Sequence, residues 1–265
     1  MLKKLILGAL GLIVLLVAII LVRTFTYGGE PVGQRVELPD TPAISADSAA
    51  QHLSEIIQFK TVTLSGGDPR PGQDGEWLAL HDWLSETYPA AHAAMTREIV
   101  PGTLTLLYTW QGSDASLKPI LLMAHQDVVP VNMGTESDWT GAPFAGEIID
   151  GYVYGRGAID DKGNLVGLME AANALAASGF QPKRTVLFMF GHDEEVLGSG
   201  AQAGIALLKS RGVEPEMALD EGFMIIDPSP LTGKPMGIIG ISEKGYVTVN
   251  VTAVAQGGHS STPPR

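Results

Sequence analysis

Ile120-Leu121-Leu122-Met123-Ala124-His125-Gln126-Asp127 is the stretch that decides the fold. Five apolar residues, enough for a buried strand and too few for a helix, stop abruptly at a polar triplet. The same form recurs downstream. Thr185 to Phe190 runs within four residues into Asp193-Glu194-Glu195, and Met217-Ala218-Leu219 into Asp220-Glu221. Leu104 to Trp110 is a further run of strand formers, while Leu165, Leu168, Met169, Ala172 and Leu175 keep helical spacing. Asp150-Gly151, between Glu147-Ile148-Ile149 and Tyr152-Val153-Tyr154, is a hairpin signal. Strands alternating with helices predict an α/β domain around a mostly parallel, buried sheet.

Toward the amino terminus, Leu53, Ile56 and Ile57 after a possible N-cap at Ser45, and Leu80, Trp83 and Leu84 before Pro89, read as two amphipathic surface helices. His52, His81 and His92 lie on or just past them and are expected at the surface, whereas His192 stays ambiguous. Residues 24–44, with Gly28, Gly29, Pro31, Gly33, Pro39 and Pro42, read as a linker, so folded structure should begin near Ser45. Leu5 to Val22 is uncharged throughout, follows Lys3 and Lys4 and is closed by Arg23. That length suffices for a bilayer, and residues 1–23 are expected to be an uncleaved signal anchor. A cleaved signal peptide is the rival, but no small-x-small site follows Val22; a buried core helix is the third reading. The two lysines place the amino terminus in the cytoplasm and the remainder in the periplasm or another extracytoplasmic space.

The chain has 265 residues, 29 acidic against 17 basic, for a net charge of −12. Without Lys3, Lys4 and Arg23, residues 24–265 carry 14 basic and the same 29 acidic side chains. That balance excludes nucleic acid as a partner, because phosphate neutralisation needs a cationic excess. With no cysteine, disulfides and thiolate sites are excluded, so a bound metal must rest on His, Asp and Glu.

Four polar clusters meet these requirements: His125-Gln126-Asp127, Asp160-Asp161 after the hairpin, Glu194-Glu195 and Asp220-Glu221. Each alone is an ordinary turn, helix start or solvated loop. Their placement after strand or hairpin is what counts, since ligands bind beyond the carboxyl ends of strands in open α/β sheets. Gathered carboxylates repel unless a cation neutralises them, and with one imidazole they suit one or two divalent ions. His125 would bind such an ion while Asp127 accepts its other ring N–H. Glu194 and Glu195 cannot point the same way on extended backbone, which lets one bind metal and the other act as base.

HQDVVPV at 125–131, the stretch from Trp139 through Pro143-Phe144 and Gly146 to GRGAIDDKG at 155–163, GHDEE at 191–195, ALDEG at 218–222 and GGHSSTPP at 257–264 together resemble the aminoacylase and carboxypeptidase S superfamily. The wording of HQDVVPV and DDKG lies nearest its carboxypeptidase S and N-fatty-acyl-amino-acid hydrolase branch. The resemblance implies a zinc-peptidase-like three-layer α/β/α catalytic domain over 45–236 and, over 237–265, the start of a smaller α+β lid that serves dimerisation. It implies two Zn²⁺ ions, with His125 and Asp220 on the first, Asp160 bridging and Glu195 on the second. Glu194 would be the general acid/base, Asp127 would orient His125, His259 would touch substrate, and the Asp160–Asp161 bond would be cis. The substrates implied are N-acyl amino acids or short peptides with a free carboxylate. The family's last histidine ligand has no counterpart after His259, so the chain is expected to hold the amino-terminal half of such a protein and to be inactive alone. The competing readings are a membrane-anchored, non-catalytic binding protein that keeps the cleft, and a fragment without function.

Overall fold

The computed structural model describes residues 2–26, 41–222, 225–241, 245, 247–252, 254 and 261. Met1–Ala43 and Ile44–Arg265 are separate compact units. In the first, helix α1 spans Leu2–Thr26. Its stretch Ile6–Thr26 is long and apolar enough to cross a membrane, about 31 Å at 1.5 Å per residue against a hydrocarbon core of about 30 Å.

The second unit opens with α2 (Ala46–Ile57), where Ser45 is the N-cap and its hydroxyl accepts from the Ser48 amide. Next come α3 (Gly75–Thr87) and α4 (Pro89–Ala94), with Pro89 in the first turn, where its missing N–H costs nothing. Strands β1 (Thr96–Ile99), β2 (Leu106–Trp110) and β3 (Ile120–His125) follow, then the hairpin β4 (Glu147–Ile149) and β5 (Tyr152–Tyr154). After it come α5 (Lys162–Ala177), β6 (Val186–Gly191), α6 (Ser199–Ser210), β7 (Met217–Leu219) and a small pair, β8 (Ile225–Ile226) with β9 (Met236–Gly237).

Five strands form one sheet in the order β1-β2-β6-β3-β7. The expected mostly parallel sheet is mixed instead: β3 runs parallel to β6 and β7, whereas β1–β2 and β2–β6 are antiparallel. The cause is local. Only Val100 to Thr105 separates β1 from β2, with Pro101-Gly102 at its centre, and so short a connection can join only antiparallel neighbours. Strand β1 itself, Thr-Arg-Glu-Ile, is too polar to be read from hydropathy.

Period-two alternation then builds two cores. Leu106, Tyr108, Trp110, Ala124, Phe188 and Phe190 meet Ile56, Leu80, Leu84, Tyr88, Leu165 and Met169 on one face, most of them from α2, α3 and α5. Leu107, Leu121, Leu187 and Met189 meet Leu208 of α6 on the other. Strand β7, expected among the buried runs, is exposed at all three residues because among the described residues it is an edge that pairs only with β3. Beyond β9, the described residues of 238–252 carry no strand.

His81 departs from its surface expectation and is 2% exposed. It stands four residues after Trp77 and three before Leu84, so it shares their inward stripe. Its Nε2 lies 2.7 Å from Gln126 Oε1, and burial pushes its pKa down to about 4. The folded value lies below the unfolded 6.5, so the neutral ring contributes stability above pH 6.5 that is lost as pH falls toward 4. The linkage is about 3 kcal/mol. Urea unfolding at several pH values should show His81→Gln losing less stability than wild type between pH 6.5 and 4; equal losses would rule this out.

Candidate metal centre

The three mutually parallel strands end at one rim. Strand β3 delivers His125 there, β6 leads through Gly191 to a single 3-10 turn at Glu194–Val196, and β7 leads to Asp220 and Glu221. The β4–β5 hairpin brings in Asp160, and the Asp160–Asp161 peptide is cis as expected.

His125 is the buried floor of this rim. Its Nδ1 lies 2.9 Å from the Asp127 carbonyl and 3.4 Å from Asp127 Oδ1. The main acceptor of that ring N–H is thus the backbone of Asp127, with the carboxylate behind it, and this contact sets the ring's orientation. On the other side Nε2 faces carboxylates: Asp160 Oδ1 at 2.9 Å, Glu221 Oε1 at 3.6 Å and Glu194 Oε2 at 4.0 Å. Ligand atoms of His125, Asp160 and Glu221 all lie within 4.8 Å of one another.

The crowding governs titration. Burial alone would depress the His125 imidazole, but hydrogen bonds with Asp127 and Glu221 and their charges raise it to about 12. Burial, and then the charge of Glu221, pushes the Asp161 carboxyl up to about 7. Glu194 and Glu195 are raised too, first by burial; the carboxylates around them add to the shift and His125 opposes it. A proton on His125 is the compensation available to the bare protein, and a divalent cation would take its place. Oxygen and imidazole donors without sulfur fit a hard or borderline ion.

Asp127 does more than orient a ring. It is fully buried; its Oδ1 accepts from the Glu194 amide at 2.9 Å and its Oδ2 from the Glu195 amide at 3.2 Å. Asp193 secures the far side of the same turn, accepting from the amides of Ser199 and Gly200 and from the Ser199 hydroxyl at the start of α6. Burial works to raise the Asp127 carboxyl, yet hydrogen bonds with His125 and Thr63 hold it below the usual carboxylate range.

The rim therefore gathers His125, Asp127, Asp160, Glu194 and Glu195 of the sequence-expected set. At the β7 edge, Glu221 is the residue turned to His125, while Asp220 Oδ1 accepts from the Glu221 amide. His259 lies outside the described residues. His192, ambiguous in the sequence, is buried beneath the rim, with Nδ1 3.0 Å from Thr105 Oγ1 and its carbonyl accepting from Trp77 Nε1. Gln126, given no role of its own by the sequence, donates from its buried amide to the carbonyls of Leu104 and Phe190 and ties the end of β3 to β6 and to the connection before β2. Sequence reasoning also gave no role to Lys162, whose Nζ donates to the carbonyls of Ile56 (3.1 Å) and Phe59 (2.5 Å) at the end of α2. The signal for both was polarity inside otherwise closed motifs.

Compared with known proteins, residues 121–264 match the model of peptidase family M20/M25/M40, a stretch that holds every carboxylate and imidazole of this rim among the described residues. The chain belongs to that family. Among M20 relatives, human N-fatty-acyl-amino acid synthase/hydrolase PM20D1 is 45% identical over 218 residues, covering 80% of this chain and 42% of the relative. Carboxypeptidase S of Saccharomyces cerevisiae is 39% identical over 229 residues, covering 82% and 39%. The chain thus spans about two fifths of the length of these relatives. Human carnosine dipeptidase 1 shares the fold, with a TM-score of 0.54 at 22% identity over 68% of this chain and 40% of that one. The resemblance read from the five motifs is borne out at the level of the family.

Proposed function

We propose that this M20 chain contributes the metal-binding half-site of a hydrolase that cleaves the amide bond of N-acyl amino acids or short peptides with a free carboxylate. One observation carries the reading: Nε2 of a buried histidine, backed by Asp127, faces Asp160, Glu221 and Glu194 within 4.0 Å. His125, Asp160 and Glu195 would hold two zinc ions together with a carboxylate of the Asp220-Glu221 pair, and the contact with His125 favours Glu221 for that place. Zinc, when bound, would lower the pKa of the attacking water and polarise the carbonyl. Glu194, whose carboxyl is raised by burial and which is half exposed at the rim, would take a proton from the attacking water as the water oxygen bonds to the acyl carbon. It would return the proton to the amine as the C–N bond breaks, and His259 would contact the substrate.

Helix α1 supports single-pass anchoring, with Lys3 and Lys4 on the cytoplasmic side and the rim in an extracytoplasmic space. The region from 237 onward would serve as lid and homodimer contact. An acid/base carboxylate beside the ligand set favours a hydrolase over a pure binding module. Equilibrium dialysis against zinc tests the site: wild type is expected to bind, His125→Ala to lose binding, and Glu221→Gln to lose more than Asp220→Asn. Wild type binding no more zinc than His125→Ala would sink the proposal.

A further inference from the structure

The short segment Thr61-Val62-Thr63, between α2 and the loop that leads to α3, runs beside the end of β3. Val62 forms a parallel bridge with Val128, the Thr63 amide donates to the Val128 carbonyl at 3.2 Å, and the Val128 amide donates to the Thr61 carbonyl at 3.0 Å. Thr61 Oγ1 donates to the Gln126 carbonyl at 2.6 Å. The backbone is thus pinned on both sides of Asp127. Thr63 is 1% exposed, and its hydroxyl donates to Asp127 Oδ2 at 2.7 Å.

The geometry points to Thr63 as a positioning residue that sets Glu194 and Glu195 by holding the Asp127 carboxylate in the rotation that receives both their amides. The inference rests on the metal-site reading only for what those glutamates then do. The physical reason is the softness of the carboxylate torsion, which is broad and two-fold rather than confined to a staggered well. Asp127 has to satisfy the Glu194 amide on Oδ1, the Glu195 amide on Oδ2 and the nearby His125 ring, and these donors come from the turn after β6 and from the end of β3. A fourth donor, the Thr63 hydroxyl on a segment hydrogen-bonded to Val128, fixes the plane. Without it the carboxylate is short of one partner in a buried site, where a missing partner is costly. It can then turn toward the imidazole and release the turn at Glu194–Val196. Loss of the hydroxyl should therefore be felt at the two amides that Asp127 holds, more than a hundred residues on in sequence.

The experiment uses the whole chain, ¹⁵N-labelled, as wild type, Thr63→Val and Thr63→Ser, with two readouts. Amide exchange should be at least about tenfold faster at Glu194 and Glu195 in Thr63→Val, unchanged at Leu165 and Met169 of α5, and restored in Thr63→Ser. Titration with Co²⁺ should give the same ligand-field spectrum for wild type and Thr63→Ser, and weaker binding with an altered spectrum for Thr63→Val. Wild-type exchange at both glutamates in Thr63→Val overturns the inference, as does failure of serine to restore it, which would assign the effect to packing of the methyl group. If Thr63→Val does not fold, Thr63→Cys, a similar size with a weaker donor, should fall between serine and unprotected amides, and wild-type exchange there counts equally against the inference. A wild type that binds no Co²⁺ would refute the metal reading, while the exchange data alone would still decide the role of Thr63.

Discussion

Glu194→Gln is expected to leave zinc content near wild type and to lower turnover by about 10² to 10⁴, the usual contribution of a general base. Turnover is to be measured in a protein that joins residues 1–265 to the remaining length of a relative such as carboxypeptidase S and hydrolyses an N-acyl amino acid. The change keeps side-chain size and the amide that Asp127 holds, and removes only the ability to take a proton. Substrate KM should move little, because the base acts on the water in the transition state. Glu195→Gln should do the opposite, losing zinc first and activity as a consequence. The two residues are neighbours whose amides are held by the two oxygens of one carboxylate, so they are placed together and differ in where the side chains lead. Glu194 comes within 4.0 Å of His125 Nε2, and Glu195 feels Asp160 more strongly than it feels His125. Zinc lost in Glu194→Gln and kept in Glu195→Gln would exchange the roles; unchanged hydrolysis in both would remove the glutamates from the chemistry.

Three of the four clusters were legible because short apolar runs announce strands, and parallel strands deliver the residues after them to one edge. The choice between Asp220 and Glu221 was not legible from geometry. Alternation assigns faces only where one face is buried, and Met217–Leu219 is exposed at every position, so nothing in the run marks which carboxylate turns inward. Strand direction also stayed hidden in the runs themselves. It depended on the brief connection around Pro101-Gly102 and on the polar strand Thr96–Ile99. His81 was misplaced because its neighbours Leu80 and Trp83 drew the inward face one position away from it. Thr63 lies in a segment with no periodicity, and its role exists only through Asp127, a partner 64 residues on.

Gly146→Ala is expected to destabilise the second unit by about 3 kcal/mol, the sum of a backbone cost and a packing cost. The residue sits at φ +64°, where a side chain costs about 1–2 kcal/mol. An added Cβ would stand 2.0 Å from the Ser54 carbonyl oxygen and 2.9 Å from its Cα, contacts that only a backbone shift can relieve. Forced overpacking of this kind costs roughly 1–3 kcal/mol more. Ser54 belongs to α2, and Gly155 closes the same hairpin against α2, since its own Cβ would meet Ile57 Cγ2 at 2.5 Å. The hairpin is thus seated on α2 through two glycines, and Gly155 lies shortly before Asp160 in the chain. Displacing the seat should therefore move Asp160 relative to His125 and weaken metal binding beyond what lost stability explains. Urea unfolding checks the first consequence and zinc dialysis, at denaturant-free conditions where the variant is still folded, the second. If Gly146→Ala unfolds at the wild-type midpoint, the hairpin has room to lift from α2; if it is destabilised but binds zinc normally, the hairpin seat and the position of Asp160 are independent.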